Sequence, residues 1–277
     1  MPELPEVEIT MRKLAPKILR RKIISFYSDW PRGLHSHYSL DKLSKDLRGR
    51  KILRLSRIGK VIFLHLSGQN SPRIAFHQRM SGRLLILDDS DFTVNAKHIR
   101  IKLGLSGSKI LAFVDPRKFG IMWYGSSEHL DKYSYLQKLG PDALSLSKKY
   151  FYNALNNKRI GIKAFLLRQD ILAGVGNIVA DEVLWEAKIN PQLKSNSLSI
   201  NQKNSLFLAI KKVLKRSIAL GGSSMRDWVH PDQDRGSYQD NWRAYGRAGK
   251  KCFRCGTILK RAIIAGRGTV FCVHCQK

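Results

Sequence analysis

The first residues of the chain place two chemically useful groups side by side. Position 2 is a proline, which is small enough to allow removal of Met1, and the secondary amine of Pro2 would then be the new terminus. A free α-amino group has a reference pKa of about 7.7–8.0, against about 10.4 for lysine, and proline's ring amine is somewhat more basic than an ordinary one. Such an amine can attack an aldehyde carbon and form an iminium. Glu3 could protonate or deprotonate the reacting group.

The same stretch also predicts an ordinary helix. Pro5 suits a first helical turn, and acidic side chains there complement the positive end of the helix dipole. Apolar residues recur at helical spacing from Pro5 to about Leu14, and Pro16 is expected to end or bend the helix. On these residues alone, both interpretations of Pro2 and Glu3 stay open.

The end of the chain carries the most specific motif. Cys252 and Cys255 form one Cys-x2-Cys pair, Cys272 and Cys275 form another, and sixteen residues separate the pairs. This spacing predicts a tetrahedral four-thiolate zinc site, which is structural because it leaves no open position for catalysis. Two disulfides are the alternative, and the absence of an export signal disfavours them.

A basic turn lies between the cysteine pairs. Residues 241–277 contain nine Lys or Arg and no Asp or Glu. Glycines on either side of Arg267 predict a tight turn with the guanidinium at its tip, where it could bind phosphate.

A second glycine-rich turn precedes a predicted helix. The segment Gly174-Val175-Gly176-Asn177 leads into a helical stretch at 178–188. Backbone N–H groups at such a helix start can bind phosphate. A plain connection between two helices is the alternative.

Two further segments each place an apolar side chain among basic and turn residues. Met80 lies in His-Gln-Arg-Met-Ser-Gly, and Phe119 in Asp-Pro-Arg-Lys-Phe-Gly. Apolar side chains with a nearby arginine can fill the gap left when a base is extruded from a duplex. The alternative is that both side chains belong to the core.

Charge and length limit the class of protein. The 277 residues carry a formal net charge of +29, with a pI of about 10.3, and 43% of them are apolar. A spread basic excess favours an extended polyanion as partner, most simply nucleic acid, with ribosomal or membrane-surface binding as alternatives. No apolar run is long enough for a membrane span, so a cytosolic protein is expected.

The fold class is predicted to be α+β. Short apolar runs between residues 23 and 114 predict strands, and the strict alternation at 98–103 leads through a turn at 104–108 into the next strand. We expect an N-terminal antiparallel β-sandwich with an N-terminal helix over 1–125 and a linker at 126–148. Helical patterns follow over 149–240, with a helix ending at Gly221-Gly222, and the four-cysteine region occupies 241–277.

These motifs together resemble the formamidopyrimidine-DNA glycosylases, a bacterial family that excises oxidised purines. The opening Pro-Glu-Leu-Pro-Glu-Val-Glu, the Gly-Val-Gly-Asn turn and the four cysteines occur in the family's order over nearly the whole chain. The resemblance implies that 149–240 is a helical DNA-binding domain with a helix–two-turns–helix element, and that 241–277 is a zinc-finger β-hairpin with one structural zinc. It also implies a monomer that binds double-stranded DNA containing an oxidised base or abasic site in the cytoplasm, at the nucleoid. It also implies that residues 221–240 fold over the extruded purine.

The resemblance implies a role for each candidate residue. Pro2 forms the Schiff base, Glu3 protonates the sugar, and Lys60 and Arg267 assist β- and δ-elimination. The expected DNA contacts are His98, Arg117, Lys158 and Asn177, and Arg117 also joins Met80 and Phe119 as the void-filling trio. Alternatives are an endonuclease VIII-like enzyme for oxidised pyrimidines and a non-catalytic protein that binds damaged DNA.

Four positions depart from the usual family residues. They are Gln78 for leucine, Arg168 for aspartate, Val179 for tyrosine and Asn190 for histidine. Arg168, Val179 and Asn190 affect local helix contacts and leave the amine chemistry untouched.

Overall fold

The structure is a computed structural model that describes residues 2–88, 97–225 and 228–277. The expected removal of Met1 therefore lies outside the described residues. The chain divides into two compact units. Unit 1 comprises Pro2, Glu6–Gln137 and Ser223–Gly236, and unit 2 comprises Glu3–Pro5, Lys138–Gly222 and Ser237–Lys277.

The N-terminal helix α1 spans Leu4–Ile18. Val7 and Leu14 of the predicted apolar stripe are fully buried. The helix was expected to end or bend at Pro16, but it continues for two further residues. A proline in the last turn removes only one backbone hydrogen bond. Burial of Ile18 in the core of unit 1 helps to hold that turn in place.

Among the described residues, unit 1 contains nine strands in two sheets. Their bounds are β1 Ile23–Ser28, β2 Leu34–His35, β3 Ile52–Ile58, β4 Val61–Leu66, β5 Arg73–His77, β6 Arg83–Asp88, β7 Ile99–Leu105, β8 Lys109–Val114 and β9 Ile121–Gly125. One sheet has the order β1-β7-β8-β6 and the other β2-β9-β5-β4-β3. All pairs are antiparallel except the two-residue pair β2–β9, which is parallel.

The two sheets form the predicted sandwich. Side chains of β7 alternate between buried and half-buried, as the sequence predicted, and the turn at 106–108 leads into β8. Buried apolar side chains from both sheets join one core, among them Ile62, Phe76, Leu103 and Phe113. Burying one face of each sheet in this way is what an alternating pattern requires.

Besides α1, the described part of unit 1 contains three further α-helices. They are α2 Leu40–Leu47, α3 Ser127–Leu130 and α4 Ser134–Gln137. The last two lie in the predicted linker at 126–148. Leu130 in α3 is fully buried, as is Ala143 in unit 2, so this stretch contributes to both cores. The predicted domain boundaries stay predictions.

Unit 2 contains four further helices and one hairpin among its described residues. They are α5 Lys148–Asn156, α6 Ile162–Leu167, α7 Asn177–Ala187, α8 Ile200–Ala219, β10 Lys260–Ile264 and β11 Arg267–Phe271. Gly221 and Gly222 both have positive φ, and the N–H of Gly222 donates to the Ser217 carbonyl at 2.8 Å. The predicted glycine stop after α8 is therefore confirmed. No helix in the described part of the chain is long and apolar enough to cross a membrane.

Candidate functional site

The carboxylate of Glu3 is fixed by the N-terminus of α7, within unit 2. Its oxygens accept hydrogen bonds from the backbone N–H groups of Gly176 at 3.0 Å, Ile178 at 2.8 Å and Val179 at 3.0 Å. Only 3% of Glu3 is exposed. The prediction that these N–H groups bind phosphate is therefore wrong, because the anion at this helix start is a carboxylate of the same chain.

The Gly-x-Gly turn before α7 makes room for the first residues of the chain. A Cβ at Gly176 would lie 2.3 Å from the carboxyl carbon of Glu3. A Cβ at Gly174 would lie 2.5 Å from the Leu4 side chain, and Gly174 has a φ of +109°. The Leu4 N–H donates to the Gly174 carbonyl at 3.0 Å. Both glycines are therefore required for close approach to residues 3 and 4.

Pro2 and Lys60 belong to unit 1, and both are buried. Lys60 follows Gly59 in the two-residue turn between β3 and β4, and 5% of it is exposed. Burial, with smaller contributions from the charges of Arg79 and Lys60, lowers the pKa of His77 to about 3. His77 is therefore neutral at working pH, and its Nδ1 accepts a hydrogen bond from the Arg79 N–H at 3.0 Å.

Met80 and Phe119 are surface residues. Met80 is 51% exposed and Phe119 is 45% exposed, so the alternative that both belong to the core is wrong. The guanidinium of Arg117 lies 4.6 Å from the centre of the Phe119 ring. Unit 1 therefore presents two apolar side chains with an arginine stacked on one of them.

A buried carboxylate organises both segments. Oδ1 of Asp115 accepts hydrogen bonds from the Ser81 hydroxyl at 2.5 Å and the Arg117 N–H at 3.2 Å. Oδ2 accepts from the N–H groups of Phe119 and Gly120, both at 2.7 Å. Sequence reasoning gave Asp115 no role. An aspartate directly before a proline, with a glycine five residues after it, was the available signal, since such a side chain often closes its own turn.

His98 lies beside Asp115 in unit 1. Its carbonyl accepts the Asp115 N–H at 2.9 Å, and its φ is +70°. The Arg100 guanidinium is 3.3 Å from Nδ1 of His98 and donates to the Asp115 carbonyl at 2.9 Å. The turn that carries Arg117 and Phe119 is thus supported by His98 and Arg100, while the predicted DNA contact of His98 stays a prediction.

In unit 2 the hairpin turn differs from the prediction. Arg267 was expected at the tip between two glycines, but Ile264 pairs with Arg267 and the tip is Ala265-Gly266. Both tip residues have positive φ, +53° and +67°, which a two-residue hairpin of type I′ requires. Arg267 is the first residue of β11 and its side chain is exposed. Its guanidinium therefore projects from the start of the strand and not from the tip of the turn.

Asn177 lies next to this strand. Its side-chain Nδ2 donates to the Gly268 carbonyl at 3.1 Å, so two candidates, Asn177 and Arg267, are brought close together in unit 2. Lys158 is exposed, and its carbonyl accepts the Ser195 hydroxyl. Phosphate contacts of Asn177 and Lys158 stay predictions.

A buried ion pair behind β11 was missed by the sequence reasoning. Lys163 in α6 and Asp181 in α7 are fully buried, with Nζ 2.6 Å from Oδ1. Burial raises the pKa of Asp181 to about 6 and lowers that of Lys163, and the attraction between them opposes both shifts. The available signal was Lys163 as the one charge in the apolar α6, because α7 carries Glu182 and Glu186 beside Asp181.

The four cysteines come together at the end of unit 2. Their sulfur atoms all lie within 4.8 Å of one another, and those of Cys255 and Cys272 are 3.5 Å apart. All four are free cysteines. Four thiolates about 2.3 Å from a zinc ion would lie roughly 3.8 Å apart, so this set fits a tetrahedral metal site.

The segment expected to cover a lesion is anchored to unit 1. The Ser223 N–H donates to Glu6 at 2.7 Å, and the Ile86 N–H of β6 donates to the Pro231 carbonyl at 3.1 Å. Residues 223–236 therefore group with the sandwich, whereas the sequence placed them with the helical region. Part of this predicted loop, residues 226–227, lies outside the described residues.

Three of the four family departures lie in unit 2. The Arg168 side chain pairs with Asp170, and the Asn190 side chain accepts a hydrogen bond from the Gln192 N–H. The Val179 side chain is buried in the core of unit 2, and its bond to Glu3 involves only the backbone N–H. Gln78 differs from these three. It is 1% exposed, and neither side-chain amide atom has a hydrogen-bond partner in the described part of unit 1.

Three family models match the chain. Residues 1–122 match the formamidopyrimidine-DNA glycosylase N-terminal domain, and residues 139–228 match the H2TH domain of the same enzymes. Residues 249–277 match the zinc finger found in these glycosylases and in isoleucyl-tRNA synthetase.

Curated relatives match over the full length. The formamidopyrimidine-DNA glycosylase of Carboxydothermus hydrogenoformans is 37% identical over 279 residues, with 100% of both chains covered. That of Chloroflexus aurantiacus is 37% identical, covering 100% of this chain and 98% of the relative.

Solved structures of formamidopyrimidine-DNA glycosylases are also similar to this chain over its full length. A mutant of the Lactococcus lactis protein bound to DNA containing Fapy-dG gives a TM-score of 0.88 at 34% identity, with both chains fully covered. The Thermus thermophilus protein gives a TM-score of 0.87 at 33% identity, covering 99% of this chain and 98% of that one. The wild-type Lactococcus lactis protein was also solved with DNA containing an oxidised pyrimidine, and that structure gives a TM-score of 0.87 at 34% identity. The chain belongs to the formamidopyrimidine-DNA glycosylase family.

Proposed function

We propose that this DNA glycosylase of base excision repair is bifunctional: it excises oxidised purines and then cleaves the resulting abasic site through a Schiff base on Pro2. One observation carries the proposal. The carboxylate of Glu3, the residue next to the amine, is held by three backbone N–H groups and is almost fully buried. A carboxylate fixed in this way keeps one orientation throughout a reaction and can move protons for a neighbouring amine.

The first step is displacement of the base. The Pro2 nitrogen attacks C1′ of the damaged nucleotide, the N–C1′ bond forms, and the glycosidic bond breaks as the base leaves with its electron pair. Glu3 accepts the proton from the Pro2 nitrogen and delivers it to the sugar ring oxygen. The ring then opens and leaves an iminium between Pro2 and C1′.

The second stage is strand cleavage. The iminium acidifies the C2′ protons, so loss of one of them expels the 3′ phosphate by β-elimination, and a second elimination expels the 5′ phosphate. Each phosphate gains charge as it leaves. The cationic side chains of Lys60 and Arg267 suit the stabilisation of that charge.

The remaining candidates hold the DNA. We assign phosphate contacts to His98, Arg117, Lys158 and Asn177, and the net charge of +29 supports strong electrostatic attraction. Exposed Met80 and Phe119 fill the gap left by the extruded nucleotide. The protein would act on chromosomal DNA in the cytoplasm.

We assign zinc as the metal of the four cysteines, in a structural role. Four soft thiolates in tetrahedral reach of one another suit zinc and leave no coordination position for substrate. The metal would hold together the hairpin that carries Arg267.

The preferred lesion is an oxidised purine such as 8-oxoguanine or a formamidopyrimidine. Leu4 and the long segment after α8 resemble the purine-specific branch of the family. A relative bound to DNA with an oxidised pyrimidine favours the endonuclease VIII-like activity as a second candidate. Preference for thymine glycol over 8-oxoguanine would select that second candidate.

A Glu3→Gln variant tests the proposal. Excision of 8-oxoguanine should fall far more than cleavage of a preformed abasic site, because the abasic site already presents an aldehyde. The abasic substrate serves as the internal control for folding and DNA binding. Equal losses on both substrates would contradict the proton-transfer role of Glu3.

A further inference from the structure

A chain of buried polar contacts in unit 2 ends on the backbone of Arg267. Nζ of Lys163 donates to Oδ1 of Asp181 and to the Thr269 hydroxyl oxygen, both at 2.6 Å. The Thr269 hydroxyl in turn donates to the Arg267 carbonyl at 3.0 Å. Lys163 and Asp181 are fully buried and Thr269 is 1% exposed.

The other contacts of this pair fall on the same strand. Oδ2 of Asp181 accepts the Val270 N–H at 3.0 Å. The Gly268 carbonyl is 3.4 Å from Nζ of Lys163 and accepts a hydrogen bond from Asn177. Side chains from α6 and α7 thus bind the backbone or side chain of consecutive residues at the start of β11.

A contribution to stability does not by itself account for a buried ion pair of this kind. Two buried charges lose their hydration, and apolar residues of similar size often stabilise a core as well or better. A charged pair with directed hydrogen bonds does fix the register of the strand it binds. The pair therefore fixes the start of β11, and Arg267 projects from that part of the strand.

We propose that Lys163 and Asp181 are positioning residues that act through Thr269 to hold Arg267 in place for phosphate during strand cleavage. This inference rests on the proposed role of Arg267 and deepens it. Thr269 links the two, because its hydroxyl accepts a hydrogen bond from Lys163 and donates one to the Arg267 carbonyl.

The test is a double-mutant cycle in the full chain. Thr269→Val has nearly the same shape as threonine and removes only the hydroxyl, and Thr269→Ser keeps it. Each is combined with native Arg267 and with Arg267→Gln. The readouts are zinc content, kcat and KM on abasic-site DNA, and the ratio of single to double elimination products on a gel.

With native Arg267, the Thr269→Val protein should keep its zinc and carry out the second elimination about tenfold more slowly than the native protein. The Thr269→Ser protein should carry it out within about twofold of the native rate. In the Arg267→Gln background, Thr269→Val should change that rate by less than about twofold, because the group it positions is absent. A merely structural role would instead give multiplicative losses in both backgrounds.

The two ways of failing can be told apart. If Arg267→Gln slows the second elimination and Thr269→Val does not, the positioning inference alone is overturned. If Arg267→Gln cleaves abasic DNA as the native protein does, the proposed role of Arg267 fails and the inference falls with it. Loss of zinc in Thr269→Val would also overturn the inference, because the contact would then be needed to assemble the hairpin.

Discussion

Replacing Asp115 with asparagine keeps the size of a buried side chain and removes its charge. The carboxylate accepts four hydrogen bonds, from Ser81, Arg117, Phe119 and Gly120. Because these donors lie on both segments that carry the exposed apolar side chains, the substitution should loosen both. We expect the free energy of unfolding to fall by about 2 kcal/mol.

The size of this loss in stability follows from the hydrogen bonds that the asparagine amide at position 115 can still make. Its oxygen can still accept the two shortest backbone bonds, from Phe119 and Gly120, and its NH2 group can donate to the Ser81 hydroxyl. The Arg117 N–H then loses its acceptor. Hydrogen bonds to charged groups contribute about 1.5–3 kcal/mol and neutral ones about 0.5–1.5, and relief of charge burial offsets part of the loss. Asp115→Ala leaves all four donors without an acceptor and should cost about 4 kcal/mol or more.

Urea unfolding measures the stability change, and Asp88→Asn is the matched control. Asp88 is half-exposed and pairs with Lys109, so its substitution should change the free energy by less than about 0.5 kcal/mol. If Met80 and Phe119 fill the gap left by the extruded nucleotide, as proposed, Asp115→Asn should also weaken binding to abasic duplex about tenfold more than binding to undamaged duplex. Equal unfolding midpoints for the two asparagine variants would refute the organising role of Asp115.

Three further predictions concern stability, metal and salt. Gln78→Leu should stabilise the protein by about 1–2 kcal/mol, because it removes two buried amide atoms without described partners, and exposed Gln69→Leu should change little in the same urea titration. Cys272→Ala should lose the zinc and DNA binding while unit 1 stays folded, and full DNA affinity in that variant would contradict the role of the hairpin. The logarithm of the DNA-binding constant should fall with log[salt] by about 0.9 per phosphate contact, and Arg117→Gln should reduce that slope by about one contact.

Much of the fold could be predicted because its signals are local. The alternation of β7, the glycine stop after α8 and the cysteine spacing each depend on a few neighbouring residues. The N-terminal helix was placed correctly, but it does not end at Pro16, since the burial of Ile18 is a tertiary effect that outweighs the local preference of Pro16.

The site was harder to predict where a residue's partner is distant in the chain. The sequence indicated an anion at the start of α7, but the anion is Glu3, more than 170 residues away. Lys163 and Asp181 lie 18 residues apart in different helices, and only folding places their charges together. The turn at Ala265-Gly266 was missed because glycine was assumed at both flanks of the tip, whereas alanine adopts the positive φ here.

The identity of the attacking amine is the central claim, and borohydride trapping tests it directly. The protein is mixed with abasic-site DNA and borohydride, and the covalent complex is digested and mapped by mass spectrometry, together with the mass of the free N-terminus. We predict one DNA adduct, on the nitrogen of Pro2, and none after that nitrogen is acetylated. A trapped complex on an internal lysine, formed equally well with Pro2 blocked, would contradict the mechanism.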